Sequence, residues 1–227
     1  FGYELAVIVR DGLRRMYADQ EKVFYYITLM NENYHHGAMP KGAEEGIRRG
    51  LYLLRESDKR AKKKRVQLIG AGTILREVEA AGEILEQDFG VAADIWSATS
   101  FNELRKEGLE MDRWNMLHPD EEPKECWVRT CLKERSGPVV ASSDYIKAYA
   151  DQIRSFVDAP YRVLGTDGFG RSDSRAKLRE FFEVDRHYVV VAALTELANA
   201  GAIERDQVGE AMKRFGISAD KPYPPRV

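Results

Sequence analysis

The chain has 227 residues, of which 44% are hydrophobic and 10% aromatic, so it can bury a substantial core and is not disordered as a whole. Its 35 basic and 37 acidic residues give a formal net charge of -2, which excludes a polycation built to bind nucleic-acid backbones. Two cysteines are too few for a disulfide framework, and they favour a reducing compartment such as the cytoplasm.

The start of the chain carries no targeting signal. There is no signal peptide and no apolar run of the roughly 20 residues that a membrane-spanning helix needs, so no membrane partner is expected. The first residue is Phe1, and it opens directly into a helical pattern. We therefore expect a fragment or a processed chain.

The first 54 residues predict two helices around one strand. Apolar residues recur at helical spacing over 3–17 and again over 44–54, which indicates two amphipathic helices. The run 23–30 (VFYYITLM) is apolar or aromatic at nearly every position, as in a strand that is buried on both faces. The polar segment 31–40 ends in a proline and predicts a loop.

A basic run at 59–65 (KRAKKKR) separates this part from the rest. A solvated linker is the simpler interpretation, because one short run without aromatic neighbours is a weak footprint for nucleic acid, the alternative. We therefore predict no nucleic-acid partner and three parts of the chain: residues 1–40, residues 41–64 as a linker helix and basic linker, and residues 65–227.

Beyond residue 65, short apolar strands alternate with amphipathic helices. Strands are predicted at 66–69, 94–98, 139–141 and 162–165. Helices are predicted at 73–89, 101–110, 125–134, from a cap at Ser142 or Ser143 to 157, after a cap at Asp173 or Ser174, from Asp185, and at 208–215. Because each helix must return the chain to the same edge, the pattern predicts a three-layer α/β domain with a mainly parallel sheet and helices on both faces.

The motifs that would carry catalysis are incomplete. Gly70 and Gly72 stand where a dinucleotide-binding turn has its first two glycines, but Leu75 occupies the position of the third. We therefore favour a tight turn between strand and helix, which could at most place an anion at the start of the helix. The sequence at 170–174 (GRSDS) lacks the last glycine of a nucleophile elbow. Cys126, Cys131 and the four histidines have no spacing that chelates a metal, so we predict no metal site.

Several longer strings are more specific than these patterns. They are AVI at 6–8, DGL at 11–13, RMY at 15–17, YYIT at 25–28, NENYH at 31–35, AMP at 38–40, EEGI at 44–47, RWNMLHP at 113–119 and YRVLGTDGFGRSDSR at 161–175. Together, and in this order, they resemble the C-terminal quarter of the homodimeric bacterial pyruvate dehydrogenases, the thiamine-dependent decarboxylating components of the pyruvate dehydrogenase complex. The resemblance extends from Phe1 to about Asp220.

The resemblance implies a transketolase-like chain of three α/β domains. Residues 1–40 would be the last helix and strand of the middle, pyrimidine-binding domain, and residues 65–227 would be the C-terminal domain. The whole enzyme would be a homodimer that decarboxylates pyruvate on thiamine diphosphate with Mg²⁺. It would pass the acetyl group to the lipoyl domain of dihydrolipoyl acetyltransferase.

The resemblance also implies that catalysis requires polypeptide outside this chain. The family anchors the cofactor through a Gly-Asp-Gly segment that this sequence lacks, and the glutamate that activates the cofactor lies ahead of Phe1 in the family. We therefore expect no catalytic and no cofactor-binding residue here. The 227 residues would serve as a structural and dimerising part, inactive alone.

Two segments remain candidates for contact. In related enzymes the loop after the strand that matches 23–30 reaches the active-site mouth, so Asn33, Tyr34 and His35 could line the entrance for pyruvate or the lipoyl arm, or could form a plain interdomain loop. The segment 165–175 follows a parallel strand, where α/β sheets bind ligands. It could form a domain or subunit contact, a local turn before a capped helix, or an effector site, and its candidate residues are Asp167, Phe169, Arg171, Asp173 and Arg175.

Two other functions stay open from the residues. The chain could be an α/β module that docks a partner or a regulatory ligand independently of catalysis. It could also be a separate nucleotide-binding protein, which Leu75 disfavours.

Overall fold

Five strands form one sheet in the structure, a computed structural model that describes residues 1–30, 33–60 and 63–227. Their spatial order is β1-β3-β2-β4-β5. Strands β2 to β5 run parallel, and β1 pairs antiparallel with β3 at one edge. The strands are β1 (Leu51–Arg55), β2 (Arg65–Gly70), β3 (Ala92–Ala98), β4 (Val139–Ser142) and β5 (Tyr161–Leu164).

Nine α-helices of the described part accompany the sheet. They are α1 (Gly2–Leu13), α2 (Glu44–Arg49), α3 (Leu75–Asp88), α4 (Phe101–Leu117), α5 (Trp127–Leu132), α6 (Lys147–Asp151), α7 (Arg175–Phe181), α8 (Arg186–Asn199) and α9 (Asp206–Phe215). None of the helices in the described residues is both long and apolar enough to span a bilayer.

Neighbouring residues of the central strands β2 and β3 pack on opposite faces of the sheet, each face with its own hydrophobic core. Leu68 and Ile95 pack with α3 and α8 on one face, whereas Ile69 and Trp96 pack with α4 and α5 on the other. All four are essentially buried, as strands covered on both faces require. The prediction of a three-layer, mainly parallel α/β domain is therefore confirmed.

The predicted helix over 44–54 is wrong in its second half. The helix α2 ends at Arg49 because Gly50 adopts a left-handed φ of 104°, and the next five residues form the edge strand β1. Part of the segment that was predicted as a linker thus belongs to the sheet. Residues 61–62 of the predicted basic linker, and 31–32 of the predicted loop, lie outside the described residues.

The predicted strand over 23–30 does not form in the structure, whereas the expectation that residues 1–40 are the last helix and strand of another domain stays a prediction. The helix α1 is present, but 23–30 pairs with no strand of the described residues. Tyr25 bonds to Asp11 of α1, Thr28 accepts a hydrogen bond from Tyr145, and Phe24 and Tyr26 are almost fully exposed. The run has the composition of a buried strand without a neighbouring strand to bury it.

The predicted start of the helix after β4, with Ser142 or Ser143 as its cap, is wrong. Ser142 is the last residue of β4, and the Ser143 amide still donates a hydrogen bond to the carbonyl of Leu164, the last residue of β5. The helix α6 therefore begins only at Lys147 and is followed by a 3-10 turn, Arg154–Phe156.

Candidate functional site

A cleft of about 420 Å³ opens where the parallel strands end. Thr73 follows β2, Asp144 follows β4 and Thr166 follows β5, and all three line the cleft. The chain leaves β2 toward β3 on one side and reaches β4 on the other, so the strand order reverses between β2 and β4. Open α/β sheets bind ligands at such a reversal, outside the carboxyl ends of the strands.

Gly72 makes the turn from β2 into this cleft possible. Its φ of 57° is left-handed, and it opens a 3-10 turn, Gly72–Ile74, that leads directly into α3. No side chain caps the start of the 3-10 turn or of α3. The residues that precede the two starts, Ala71 and Ile74, thus provide no side-chain acceptor for the first turn, and the amino end of a helix is favourable for an anion.

A buried carboxylate fixes one wall of the cleft. Glu77 accepts hydrogen bonds from Arg179 at 3.0 Å and from the Arg186 side chain at 2.8 Å. Burial opposes the ionisation of Glu77, but the hydrogen bonds and charges of the two arginines outweigh it and lower the pKa of the carboxyl. Glu77 is therefore an anion at neutral pH, and it holds Arg179 at the cleft wall.

Asp144 is the acidic group of the cleft. Although the residue as a whole is exposed, the surrounding protein withdraws its carboxylate from water enough to raise its pKa. Its backbone carbonyl accepts a 2.7 Å hydrogen bond from the Thr166 hydroxyl, which ties the segment after β4 to the segment after β5.

The loop at 165–175 presents two different faces. Gly168 and Gly170 line the cleft together with Arg171 and Arg175, two of the residues predicted from the sequence. Gly168 has a φ of 111° and lies against the backbone of Pro224, so this turn requires glycine. The Arg171 guanidinium lies 4.7 Å from the centre of the Phe181 ring.

The other predicted residues of this loop do not line the cleft. Asp167 contacts Lys147, with an amide hydrogen bond of 3.4 Å and an N–O distance of 3.9 Å to the side chain. Phe169 is 82% exposed and does not line the cleft. Asp173 accepts a hydrogen bond from the Ser174 amide, and the Ser174 hydroxyl caps α7, as one of the two predicted caps.

The predicted entrance residues lie near the same edge of the sheet without lining the cleft. The Arg76 guanidinium of α3 stacks 4.1 Å from the centre of the Tyr34 ring and donates a 2.6 Å hydrogen bond to the His35 carbonyl. Asn33 is exposed. From this segment Met30 is the described residue that reaches the cleft.

Sequence reasoning missed Thr73, Asp144 and Arg179. The first two carried a usable signal, because each stands within four residues of the end of a predicted strand, where polar residues converge. Arg179 carried none, since its position depends on the buried pairing with Glu77, 102 residues earlier in the chain.

No cluster of three His, Cys, Asp or Glu side chains in the described part of the chain could hold a metal ion. Thiamine diphosphate, which the resemblance implies for the whole enzyme, needs a divalent cation to anchor its diphosphate. The described residues do not fit that cation, so no catalytic step is assigned through the cofactor. That this chain alone binds no cofactor stays a prediction.

Two protein families match different parts of the chain. Residues 50–185 match the family described as "Transketolase-like TK C-terminal domain", and residues 1–37 match the "Pyruvate dehydrogenase E1 component middle domain". The "Pyruvate dehydrogenase E1 component" of Pseudomonas aeruginosa is 60% identical over 225 residues, 99% of this chain and 25% of that protein. The protein of the same name from Escherichia coli is 54% identical over 226 residues, again 99% and 25%.

The chain therefore spans about a quarter of the length of the curated relatives it matches. Among solved structures, a transketolase from Leishmania mexicana aligns with a TM-score of 0.47 and 16% identity, over 69% of this chain and 19% of that one.

Proposed function

Since the chain belongs to the family of transketolase-like C-terminal domains, and a segment of a pyruvate dehydrogenase E1 middle domain precedes that domain, we propose that it is the C-terminal part of a pyruvate dehydrogenase. The whole enzyme decarboxylates pyruvate on thiamine diphosphate with Mg²⁺ and acetylates the lipoyl group of dihydrolipoyl acetyltransferase in the cytoplasm. The likeness to curated relatives over 99% of the chain supports this assignment.

The role of this part, in our proposal, is to hold the middle domain and to form the dimer. In this proposal residues 1–40 belong to the middle domain, and the C-terminal domain comprises residues 65–227 together with the edge strand β1. The observation that carries the proposal is the junction itself: Glu4 of α1 accepts hydrogen bonds of 2.7 Å from Tyr52 of β1 and 2.6 Å from Ser97 of β3.

The same junction leaves an apolar surface without a cover. The run at 23–30 follows α1 and exposes Phe24, Tyr26 and Leu29 to water. Large exposed apolar side chains in sequence mark a surface that another protein part covers. In the proposed enzyme the remainder of the middle domain covers them, and the C-terminal domain supports the helix from which they extend.

We also propose roles for the two candidate segments. Asn33, Tyr34 and His35 line the entrance that pyruvate or the lipoyl arm uses. The loop at 165–175, with the exposed ring of Phe169, contacts another domain or the second subunit. The other candidate residues of the loop, Asp167, Arg171, Asp173 and Arg175, belong to the same proposed contact, and Arg171 and Arg175 also line the cleft.

The experiment compares this chain with a longer protein that restores the full length of the relatives. Pyruvate-dependent reduction of an artificial electron acceptor is measured with thiamine diphosphate and Mg²⁺. We expect turnover from the longer protein and none from the 227 residues alone. Turnover by the chain alone would overturn the scaffold role, and a longer protein inactive on pyruvate but active on another 2-oxoacid would overturn the substrate.

A further inference from the structure

The cleft beyond β2, β4 and β5 carries more positive than negative charge. Among the described residues that line it, the guanidinium groups of Arg171 and Arg179 compare with the single carboxylate of Asp144. The wall behind Arg179 does not remove the excess, because Glu77 shares one negative charge between Arg179 and Arg186. The cleft and its wall therefore favour an anion.

The positive groups belong to separate parts of the chain. Arg171 comes from the loop after β5 and Arg179 from α7, whereas the uncapped start of the turn into α3 comes from the end of β2. Planar guanidinium groups and helix amino ends both bind phosphate in proteins. Their meeting at the reversal of strand order combines three separate features of a phosphate site.

Arg171 is held in place before any ligand arrives. Its guanidinium lies over the Phe181 ring at 4.7 Å, and it makes no ion pair with another described residue. A contact with an aromatic face orients the charge while leaving its N–H groups for another acceptor. This lowers the entropy that a ligand would lose in fixing the side chain.

Part of the cleft is apolar. Ile74, Leu178 and Phe182 line it, and its volume of about 420 Å³ lies within the range of small-molecule sites. Inorganic phosphate would leave these side chains in contact with water, whereas a phosphate ester with a small apolar or aromatic body would cover them.

We propose that this cleft binds a small organic phosphate, with its phosphate group against Arg171 and the start of α3 and its apolar body against Ile74, Leu178 and Phe182. Binding at this site is measured on the chain directly and needs no turnover. A failure of this proposal is therefore distinguishable from a failure of the proposed function.

The test is titration calorimetry of the 227-residue chain with phenyl phosphate, inorganic phosphate and benzoate. We expect saturable binding of phenyl phosphate that is stronger than binding of either other probe. Equal affinity for benzoate would overturn the choice of phosphate, and equal affinity for inorganic phosphate would overturn the apolar part of the site. No saturable binding of phenyl phosphate would overturn the site itself.

Two charge-removing variants locate the binding. Arg171→Gln should weaken phenyl phosphate binding about tenfold, the effect of losing a charge-assisted hydrogen bond. Lys177→Gln is the matched control, because Lys177 lies on the same helix as Arg179, pairs with Glu180 and does not line the cleft. Equal weakening by both variants would show unspecific attraction of anions and overturn the proposal.

Two further measurements guard against a folding artefact. Arg171→Lys keeps the charge without the planar fork and should bind with intermediate affinity. In amide NMR spectra, phenyl phosphate should shift Thr73 and Thr166, which line the cleft. Shifts confined to other regions would place the ligand elsewhere and overturn the assignment.

Discussion

The hydroxyl of Tyr52 donates a 2.7 Å hydrogen bond to the carboxylate of Glu4 and so joins the first helix to the edge strand of the sheet. Ser97 donates a second bond to the same carboxylate oxygen, and the Tyr3 hydroxyl lies 2.8 Å from that of Tyr52. Burial and the charge of Glu4 raise the pKa of Tyr52, so its hydroxyl remains a donor over the accessible pH range.

Tyr52→Phe should lower the free energy of unfolding by about 1–2 kcal/mol, because the variant removes a buried donor and leaves the Glu4 carboxylate less satisfied. Urea unfolding followed by circular dichroism measures the change. Tyr26→Phe is the matched control, since its hydroxyl is on an 87% exposed residue. Equal stability of the Tyr52 variant and the control would contradict the anchoring role of Glu4.

Glu77→Gln should destabilise the chain by at least about 2 kcal/mol at pH 7, since it leaves two guanidinium groups with a neutral partner at a buried position. The pKa of Glu77 is lowered from 4.5, so its ionised form contributes stability above pH 4.5 that is lost as the pH falls through the folded-state pKa. The difference between wild type and variant should therefore shrink below pH 4.5. Urea unfolding at several pH values measures it.

The control for Glu77 is Glu180→Gln on α7. Glu180 pairs with Lys177 at 2.9 Å, but both side chains are more than half exposed, and exposed pairs contribute little. We expect no measurable change in the urea midpoint. A loss equal to that of Glu77→Gln, or a Glu77 effect that does not depend on pH, would contradict the burial argument.

Local signals predicted the parts of the fold that depend on local chemistry. Asp185 caps α8 by accepting hydrogen bonds from two amides at 3.0 Å, and Gly216 ends α9 with a left-handed φ of 66°, as the sequence indicates. The run at 23–30 was misassigned because a strand also needs a partner, which no local pattern supplies. The edge strand β1 was missed for the reverse reason, since the helical spacing of 44–54 continued past Gly50.

The candidate site was predicted only in part, for a similar reason. Arg171 and Arg175 stood out because they follow a strand in a distinctive loop. The cleft also requires Thr73 and Arg179, which come from segments about a hundred residues apart. Their proximity follows from the strand order and from the buried Glu77, and neither is visible in a local window of sequence.

The exposed run at 23–30 should make the 227-residue chain associate with itself. Phe24 and Tyr26 are 88% and 87% exposed, and large exposed apolar side chains that adjoin one another favour association between copies of a chain. Sedimentation velocity should show an average mass that rises with concentration. The double change Phe24→Asp and Tyr26→Asp should abolish the rise, whereas Phe169→Asp, at an exposed ring elsewhere, should not. An equal effect of Phe169→Asp would assign the association to a different surface.

Tyr34→Ala in the longer enzyme should raise the KM for pyruvate or slow the acetylation of the lipoyl domain, if Tyr34 lines the entrance. Steady-state kinetics with each substrate measure both effects. Tyr34→Phe keeps the ring that stacks at 4.1 Å on Arg76 and should retain wild-type kinetics. His35→Ala tests the neighbouring position. Unchanged constants for both substrates in the two alanine variants would remove the entrance proposal.

The two cysteines should react with thiol reagents only when the chain unfolds. Cys126 is buried, and burial raises the pKa of both thiols, that of Cys131 to about 12, so very little thiolate exists at pH 8. Labelling with a disulfide reagent at pH 8 should therefore be slow in buffer and rapid in urea. Ser155→Cys places a thiol at an exposed position as the control and should label quickly in buffer. Rapid labelling of two thiols in the folded wild-type chain would contradict the burial of this layer between α4 and α5.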